Sequence, residues 1–464
     1  MKLCVIGGAG ARSAFLTKSL VKSAREIRVD HIVLLDNNEE HLRTYGQISK
    51  ELARRMEPSL TFDITSDARG ALTGADYIIT TIRAGGDAGR LFDEKTCLAH
   101  GVLGQETTGA GGFAMAIRSV PTLVYYCTLA REVSNPGHLI FNFTNPSGII
   151  TQALRSCGFA NVYGICDAPS GFIKQLEEIL DVPYGALDIE CYGLNHLSWF
   201  RNAKLDGRDV QEELLNNPRT YQHSEMRLFT REMARLSGEC MLNEYLYFYY
   251  RREKSLSMVQ KAEHPRGEMI YLINRELETQ LAQMELPRDF EKAFNLYMNA
   301  YGKRENAYFS VESGARREKV WNPPTVEEFL AEPDEGGYAA VGLRFIRAIT
   351  DGEDCRMVLS VPNEGAIDGL EDDDVVEITC DIHSDGAHPI HIGVIDEFQL
   401  QQIKRLKYFE RCTIQAILHD DRDSAVKGLA LHPLVNDFEL AETLSGIFFK
   451  EYASFIHMNE APGQ

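Results

Sequence analysis

The sequence predicts an α/β fold in which a doubly wound, mainly parallel sheet is followed by a mixed α/β region. Three observations carry that prediction. Short apolar runs alternate with helical patterns through about residue 187, a glycine-rich turn follows the first run directly, and the periodicity changes afterwards. Strands separated by helices favour a parallel sheet, because each crossover helix covers the face it spans.

In chain order, KLCVIGG (2–8), HIVLLD (31–36), DYIITTI (76–82), HLIFNFT (138–144) and NVYGIC (161–166) read as buried strands. Each is a short apolar run bounded by turn or polar residues. Between them, SAFLTKSLVKSAREI (13–27) and GGFAMAIRSVPTLVYYCTLAREVS (111–134) carry apolar residues at helical spacing. Segments 187–203 and 204–212 read as strands and turns, and 222–256 and 265–302 as long helical stretches. SVPNEGAIDGLEDDDVVEITCDI (360–382) reads as a strand and loop pair, and DEFQLQQIKRLKYFERCTIQAIL (396–418) as a long amphipathic helix. The acidic stretches 332–335 and 371–374 read as solvated loops. The expected division is a Rossmann-like domain over 1–187 and a mixed α/β domain over 188–464, packed against the carboxyl edge of the sheet.

A chain of 464 residues, 44% hydrophobic, can bury a large core. Its 48 basic and 68 acidic residues give a formal net charge of −20. Such a surface repels phosphate backbones and anionic membranes, so no nucleic-acid or membrane partner is expected. A local arginine cluster can still hold a small anion. MKLCVIGGAG enters a strand without a signal-peptide pattern, and no run reaches the roughly eighteen apolar residues of a membrane helix. The ten cysteines show neither paired spacing nor CxxC, as expected of reduced thiols in a cytoplasmic protein.

VIGGAGARSAF opens a helix straight after the first strand. Gly7, Gly8 and Gly10 permit a tight turn and close approach to a pyrophosphate, which a helix N-terminus favours electrostatically. Asp36 ends the second strand, where a carboxylate can accept from a ribose 2′-hydroxyl and so prefer NAD to NADP. Plain strand–helix turns also use glycine, so the turn counts only together with its neighbours.

GQETTGAGGF (104–113) carries four glycines, two threonines and one carboxylate. A stretch so poor in side chains suits close approach of backbone to something else. TNPSG (144–148) and ICDAPSG (165–171) end predicted strands, where doubly wound sheets keep their ligand crevice, and YGLNHLSWF (192–200) follows. Cys166 sits at a strand-to-helix junction, and a helix N-terminus lowers a thiol's pKa and favours the metal-binding thiolate. His196 can add an imidazole nitrogen, and Cys with His suits a borderline divalent ion. On spacing alone buried packing is the stronger reading for either residue, and spacing by itself does not make a metal site.

In this order, GQETTGAGGF, NFTNPSG, ICDAPSG, YGLNHLSWF and NEYLYFYY, with VPNEGAIDGLEDDDVVEI (361–378) beyond them, resemble the family 4 glycoside hydrolases. These are the NAD- and divalent-metal-dependent exceptions to two-carboxylate hydrolysis. The resemblance spans nearly the whole chain. It implies that Cys166 and His196 hold Mn²⁺, whose other ligands are two substrate hydroxyls and water, and that Asn145 contacts substrate nearby. Tyr245, the first tyrosine of NEYLYFYY, matches the family's catalytic base; by itself it reads as core packing. Asp167 matches the acid of members that cleave α-linked 6-phosphoglucosides; by itself it reads as a helix N-cap. The GQETxGxGG loop of the family passes between nicotinamide and sugar, which makes Glu106 a polar contact there. The implied reaction oxidises C3 with NAD⁺, removes the acidified C2 proton with Tyr245 as tyrosinate, and eliminates the aglycone from C1 with help from an acid such as Asp167. Water then adds and the hydride returns, so NAD is recycled.

IRAGGDAGRLFDEKT (82–96) resembles the phosphosugar branches, with Arg83 and Arg90 placed to meet a 6-phosphate, and Arg266 of HPRGE resembles a third active-site arginine. Surface solvation is the plain alternative for each. CDxP resembles the 6-phospho-α-glucoside enzymes, whereas GQETTGxGGF and YGLNHLSW resemble the 6-phospho-β branch. The expected substrate is therefore a small phosphorylated glycoside, β over α on overall resemblance. Departures at GGAGARSA, Glu364 and KRENAYFS (303–310) keep a non-phosphorylated α-glucoside, α-galactoside or uronide open. The resemblance also implies a homodimer or homotetramer. A lactate- or malate-type NAD-dependent dehydrogenase and a catalytically silent NAD sensor are the rival readings; Cys166, His196 and the lack of a recognisable His–Asp relay argue against the first, and Cys166, His196 and Tyr245 together against the second.

Overall fold

The computed structural model describes residues 1–286, 288–314, 321–333 and 339–456. Six strands come first: β1 (Lys2–Ile6), β2 (His31–Leu35), β3 (Thr61–Thr65), β4 (Tyr77–Thr80), β5 (Leu139–Asn142) and β6 (Val162–Gly164). They pair in parallel in the order β3-β2-β1-β4-β5-β6. The order reverses between β1 and β4, which opens a crevice at the carboxyl ends of the strands. The alternation in the sequence predicts this arrangement. It does not predict β3, because TFDIT lies at the sheet edge with Thr61 and Asp63 exposed and forms no apolar run.

Beyond residue 187 come β7 (Leu187–Leu194), β8 (Leu197–Leu205), β9 (Arg208–Asp209) and β10 (Met241–Leu242), an antiparallel sheet in which β8 pairs with the other three. β11 (Cys355–Pro362), β12 (Val375–His383) and β13 (Gly386–Pro389) join the first sheet instead, running antiparallel outward from β6. The nine-stranded sheet therefore takes three strands from residues beyond 187. β12 also packs against β7, so the two sheets meet along that line.

Helical expectations fare unevenly. Glu397–Leu418 is one helix, capped by the Asp396 side chain, as the periodicity predicts. The stretch 265–302 resolves into the helices Arg266–Leu281 and Phe290–Asn306. The stretch 222–256 is not a long helix. It breaks into short pieces around β10, with a left-handed glycine at Gly238 and side-chain caps at Ser224 and Thr230. Gly109–Val133 is long and apolar enough to cross a membrane, yet most of it is buried in the core against the helices Gly86–Ala99 and Ser147–Ser156. The reading of 371–374 as a solvated loop fails at Asp374, which is buried and accepts from Glu371 N at 3.0 Å while pairing with Arg411 at 2.6 Å. Of 332–335, Glu332 is exposed and residues 334–335 lie outside the described residues.

One buried ion pair fixes the helices behind the crevice. Arg118, wholly buried, donates twice to Asp93, at 3.0 and 2.7 Å, and its Nε donates to the Ala84 carbonyl at 2.8 Å. The Tyr452 hydroxyl donates to the same carboxylate at 2.6 Å. Removing one partner strands the other charge in the core. Asp93→Ala is therefore expected to lower the stability of the protein by about 3–5 kcal/mol, read from urea denaturation. A loss within the ordinary range of a surface substitution, about 0.5 kcal/mol, would contradict this account of the pair.

Candidate active site

A cleft of about 740 Å³ lies at the carboxyl ends of the parallel strands, and every site residue singled out from the sequence lines it. Gly7 takes a left-handed backbone with φ +81°, and a side chain there would strike Ile82 at 2.8 Å. At Gly10 the nearest atom to an added Cβ is the Gly7 carbonyl oxygen, at 3.8 Å, so this glycine leaves room on the cleft side. Asp36 receives the Ala9 N–H at 3.3 Å and the Asn38 N–H at 3.0 Å, and burial raises its pKa against those bonds. These positions fit a dinucleotide: an open glycine before a helix N-terminus, and a carboxylate at the next strand end.

The GQETTGAGGF stretch is a loop only as far as Thr108; from Gly109 it is helix. Its glycines serve packing more than ligand approach. A side chain at Gly104 would meet the backbone of Glu94 at 2.5 Å, one at Gly111 the carbonyl of Gln105, and one at Gly112 the backbone of Thr107 at 2.8 Å. The loop is thereby folded tightly between its own helix and the helix Gly86–Ala99, and Glu106 lines the cleft.

Cys166 caps the helix Asp167–Leu180 from the end of β6, and His196 occupies the two-residue turn between β7 and β8 with φ +65°. The two meet with Sγ and Nε2 3.9 Å apart. Burial holds the imidazole pKa down to about 4, so the ring is neutral with a lone pair to offer, while Nδ1 is buried without a hydrogen-bond partner. The thiol does not behave as its helix position predicts. Burial, then the charges of Glu377 and Asp167, push its pKa well above the ordinary value and outweigh the bonds from Ala168 N–H and the Asn195 side chain. Thiol and neutral imidazole still form a donor pair of the kind a borderline divalent ion takes. Among the described residues, no cluster of three or more His, Cys, Asp or Glu is placed to hold a metal.

Tyr245 is brought to this pair by β10, which pairs with β8 just beyond His196. Its ring stacks on the His196 ring, with centroids 3.8 Å apart and planes 7° from parallel. Its hydroxyl lies 3.2 Å from that of Tyr308, which donates to Glu244 Oε1 at 2.7 Å. Burial and the Glu244 charge hold the phenol above its ordinary pKa. Asp167 keeps its carboxyl half-exposed at the cleft, 3.9 Å from Arg12. Asn145 follows Thr144, which is tied to β4 by its bonds with Thr80 and with Ile82 N–H.

The arginines do not all stand alike. Arg83 hydrogen-bonds the Glu106 carboxylate, and Arg90 Nε lies 3.1 Å from the same oxygen. Burial would raise the Glu106 pKa, but the two arginines hold it far below the carboxylate range. Arg266 lies over the Tyr308 ring at 4.8 Å, and Arg304 is buried beside Asn274. Burial lowers both arginine pKa values, and neither has a carboxylate within ion-pair distance among the described residues. Arg12, Arg304, Tyr308 and Glu377 escape notice in the sequence. All four fall inside quoted stretches, VIGGAGARSAF, KRENAYFS and VVEI, but nothing local marks any of them as part of a site.

Fold and site together define an enzyme of the Rossmann type whose nucleotide crevice ends at a Cys–His pair and a buried tyrosine. The profile described as Family 4 glycosyl hydrolase matches residues 2–182, and its C-terminal domain profile matches 191–435. The chain belongs to the family 4 glycosyl hydrolases. It is 29% identical to the 6-phospho-beta-glucosidase BglT of Thermotoga maritima over 451 residues, covering 96% of each chain. It is 26% identical to the phospho-alpha-glucosidase PagL of Clostridium acetobutylicum, covering 95% of each. A solved structure of the Thermotoga maritima 6-phospho-beta-glucosidase with NAD and glucose-6-phosphate matches with a TM-score of 0.79 at 28% identity, covering 98% of this chain and 99% of that one. Another, at 27% identity, holds manganese as well. Membership sets aside the dehydrogenase and sensor readings.

The pairing of Glu106 has a consequence for acid stability. Its folded pKa is depressed, so the unfolded chain takes up a proton near the ordinary glutamate value of about 4.3 while the folded site refuses it. The stabilisation is present above that pH and shrinks as pH falls. Glu106→Gln is expected to be less stable than the wild type at pH 7 and to approach it at pH 3, in urea midpoints taken across that range. Parallel curves for the two proteins would count against the pairing.

Proposed function

We propose that the protein cleaves 6-phosphoglucosides, β-linked in preference to α-linked, with NAD and Mn²⁺ as resident cofactors. The observation that carries this is the meeting of Cys166, His196 and Tyr245 in one cleft with an open glycine turn and a cluster of arginines. The preference for β rests on the 6-phospho-beta-glucosidases among the relatives, such as those of Thermotoga maritima and Escherichia coli, at 29% and 27% identity.

Gly7, Gly8 and Gly10 with Asp36 would hold the dinucleotide, and Cys166 with His196 the cation. When bound, NAD⁺ supplies the hydride acceptor and donor at C3, and the cation supplies positive charge beside the sugar oxygens and the Tyr245 phenol. Tyr245 Oη takes the proton from C2, held in place by the His196 ring on one side and the Tyr308 hydroxyl on another. Asp167, at the cleft beside Arg12, is placed to pass a proton to the leaving oxygen. Asn145 orients the sugar near the cation, and Glu106 lines the wall between nicotinamide and sugar. Arg266 and Arg304 offer charge to the phosphate, with Arg90 and Arg83 alongside but already committed to Glu106. That commitment favours a second reading, a family 4 enzyme acting on a non-phosphorylated α-glucoside, α-galactoside or uronide. All ten cysteines are free thiols, which fits a cytoplasmic enzyme working on phosphorylated sugars. A homodimer or homotetramer belongs to the same reading, by family resemblance.

The test is p-nitrophenol release from α- and β-glucosides, each with and without a 6-phosphate, with NAD⁺ and Mn²⁺ present and then omitted in turn. The 6-phospho-β-glucoside is expected to be cleaved fastest, only with both cofactors, and without net NADH. Faster cleavage of an unphosphorylated glucoside would establish the second reading instead. Tyr245→Phe and Cys166→Ser are each expected to lower turnover about 10²–10⁴-fold while leaving NAD affinity intact. Loss of NAD affinity in either would mean that the residue has been given the wrong role.

A further inference from the structure

Beside the Cys166–His196 pair stands a buried carboxylate that the proposed reaction does not use. Glu377 on β12 lies opposite Ser360 of β11, which lies opposite Gly164 of β6, two residues before Cys166. The antiparallel strands added to the sheet thus carry Glu377 to the same end as the thiol. It is 2% exposed. Its Oε1 accepts from Asn195 Nδ2 at 2.8 Å, and its Oε2 accepts from the Ser198 hydroxyl at 3.0 Å. The Asn195 side chain also acts to lower the Cys166 thiol pKa, and Asn195 directly precedes His196. One carboxylate therefore holds the residue that directly precedes His196, on the strand end that faces Cys166.

Two neutral donors do not compensate a buried negative charge, and among the described residues no Lys, Arg or His pairs with Glu377. Burial pushes its pKa up to about 7. In its ionised form this carboxylate would be matched by a cation held at the Cys166–His196 pair. The charges then balance: a thiolate and a carboxylate against a divalent ion, with a neutral imidazole.

We infer that Glu377 is an outer anion of the metal centre, which orients Cys166 and His196 through Asn195 and, with the Cys166 thiolate, balances the charge of a divalent cation. It is a positioning residue, and the inference rests on the metal reading given above. Outer carboxylates of this kind typically change metal affinity about 10–100-fold when replaced.

The experiment is Mn²⁺ titration of the chelator-stripped full-length protein, followed by the electron paramagnetic resonance signal of free Mn²⁺. Glu377→Gln keeps the shape and an acceptor for Asn195 but removes the charge. It is expected to weaken Mn²⁺ binding about 10–100-fold, with NAD affinity and metal-free melting temperature unchanged. Glu377→Asp is expected to recover part of the loss, and the thiolate-to-metal charge-transfer band of the Co²⁺-loaded Glu377→Gln protein to shift from its wild-type position. Wild-type Mn²⁺ affinity and an unmoved band in Glu377→Gln would overturn the inference while leaving the metal centre standing. A joint loss of melting temperature and NAD affinity would also overturn it, reducing Glu377 to a brace for the β7–β8 hairpin. Absence of Mn²⁺ binding by the wild type would remove the metal reading and this inference with it.

Discussion

The cleft depends on one line of contact, where β12 of the large sheet packs against β7 of the small one. Cys166 stands at the end of a strand in the first sheet, and His196 at a hairpin tip of the second. Nothing in either sheet alone places Sγ within 3.9 Å of Nε2. The contact is polar at its heart: Thr379 accepts from Cys191 N–H at 2.8 Å, and Glu377 gathers Asn195 and Ser198. Buried hydrogen bonds of this sort fix a relative position more sharply than apolar packing, because a small shift leaves several groups unsatisfied at once.

Charge is handled differently at the back and at the mouth of the cleft. Behind it, Arg118 and Asp93 satisfy each other completely and hold the carbonyl of Ala84, the residue after Arg83. In front, Glu106 divides its charge between Arg83 and Arg90, while Arg266 and Arg304 have no carboxylate within ion-pair distance among the described residues. The chain carries a net charge of −20, yet the inner wall of its cleft is rich in arginine. A small anion would be drawn to these buried guanidinium groups by a local field that opposes the global one.

Much of this was legible in the sequence, and the reasons for the gaps are physical. Strands buried on both faces announce themselves as apolar runs, so β1, β2, β4 and β5 stand out. The edge strand β3 alternates and does not. The helical spacing in 222–256 is real, but local caps and a left-handed Gly238 cut it into short pieces. Cys166 stands at a helix N-terminus as the sequence predicts, while its protonation is set first by burial and then by the charge of Glu377, both consequences of the tertiary fold. Arg304 and Tyr308 belong to the site only because the helix Phe290–Asn306 ends over it, a tertiary fact that no local pattern encodes.

The turn that bears His196 limits how such a protein can diverge. The turn has only two residues, with a non-glycine left-handed backbone at His196 and Gly193 at φ +134° just before it, where any side chain would collide with the Leu197 carbonyl. Successive residues of a strand face opposite ways, so lengthening the hairpin by one residue would turn the imidazole away from Cys166. Insertions are therefore barred here. Change is freer where the helices Arg266–Leu281 and Phe290–Asn306 reach the cleft, since their arginines stand on separate elements joined by a loop. A lineage built on this fold can retune what enters the cleft far more readily than the inner end at which Cys166, His196 and Tyr245 meet.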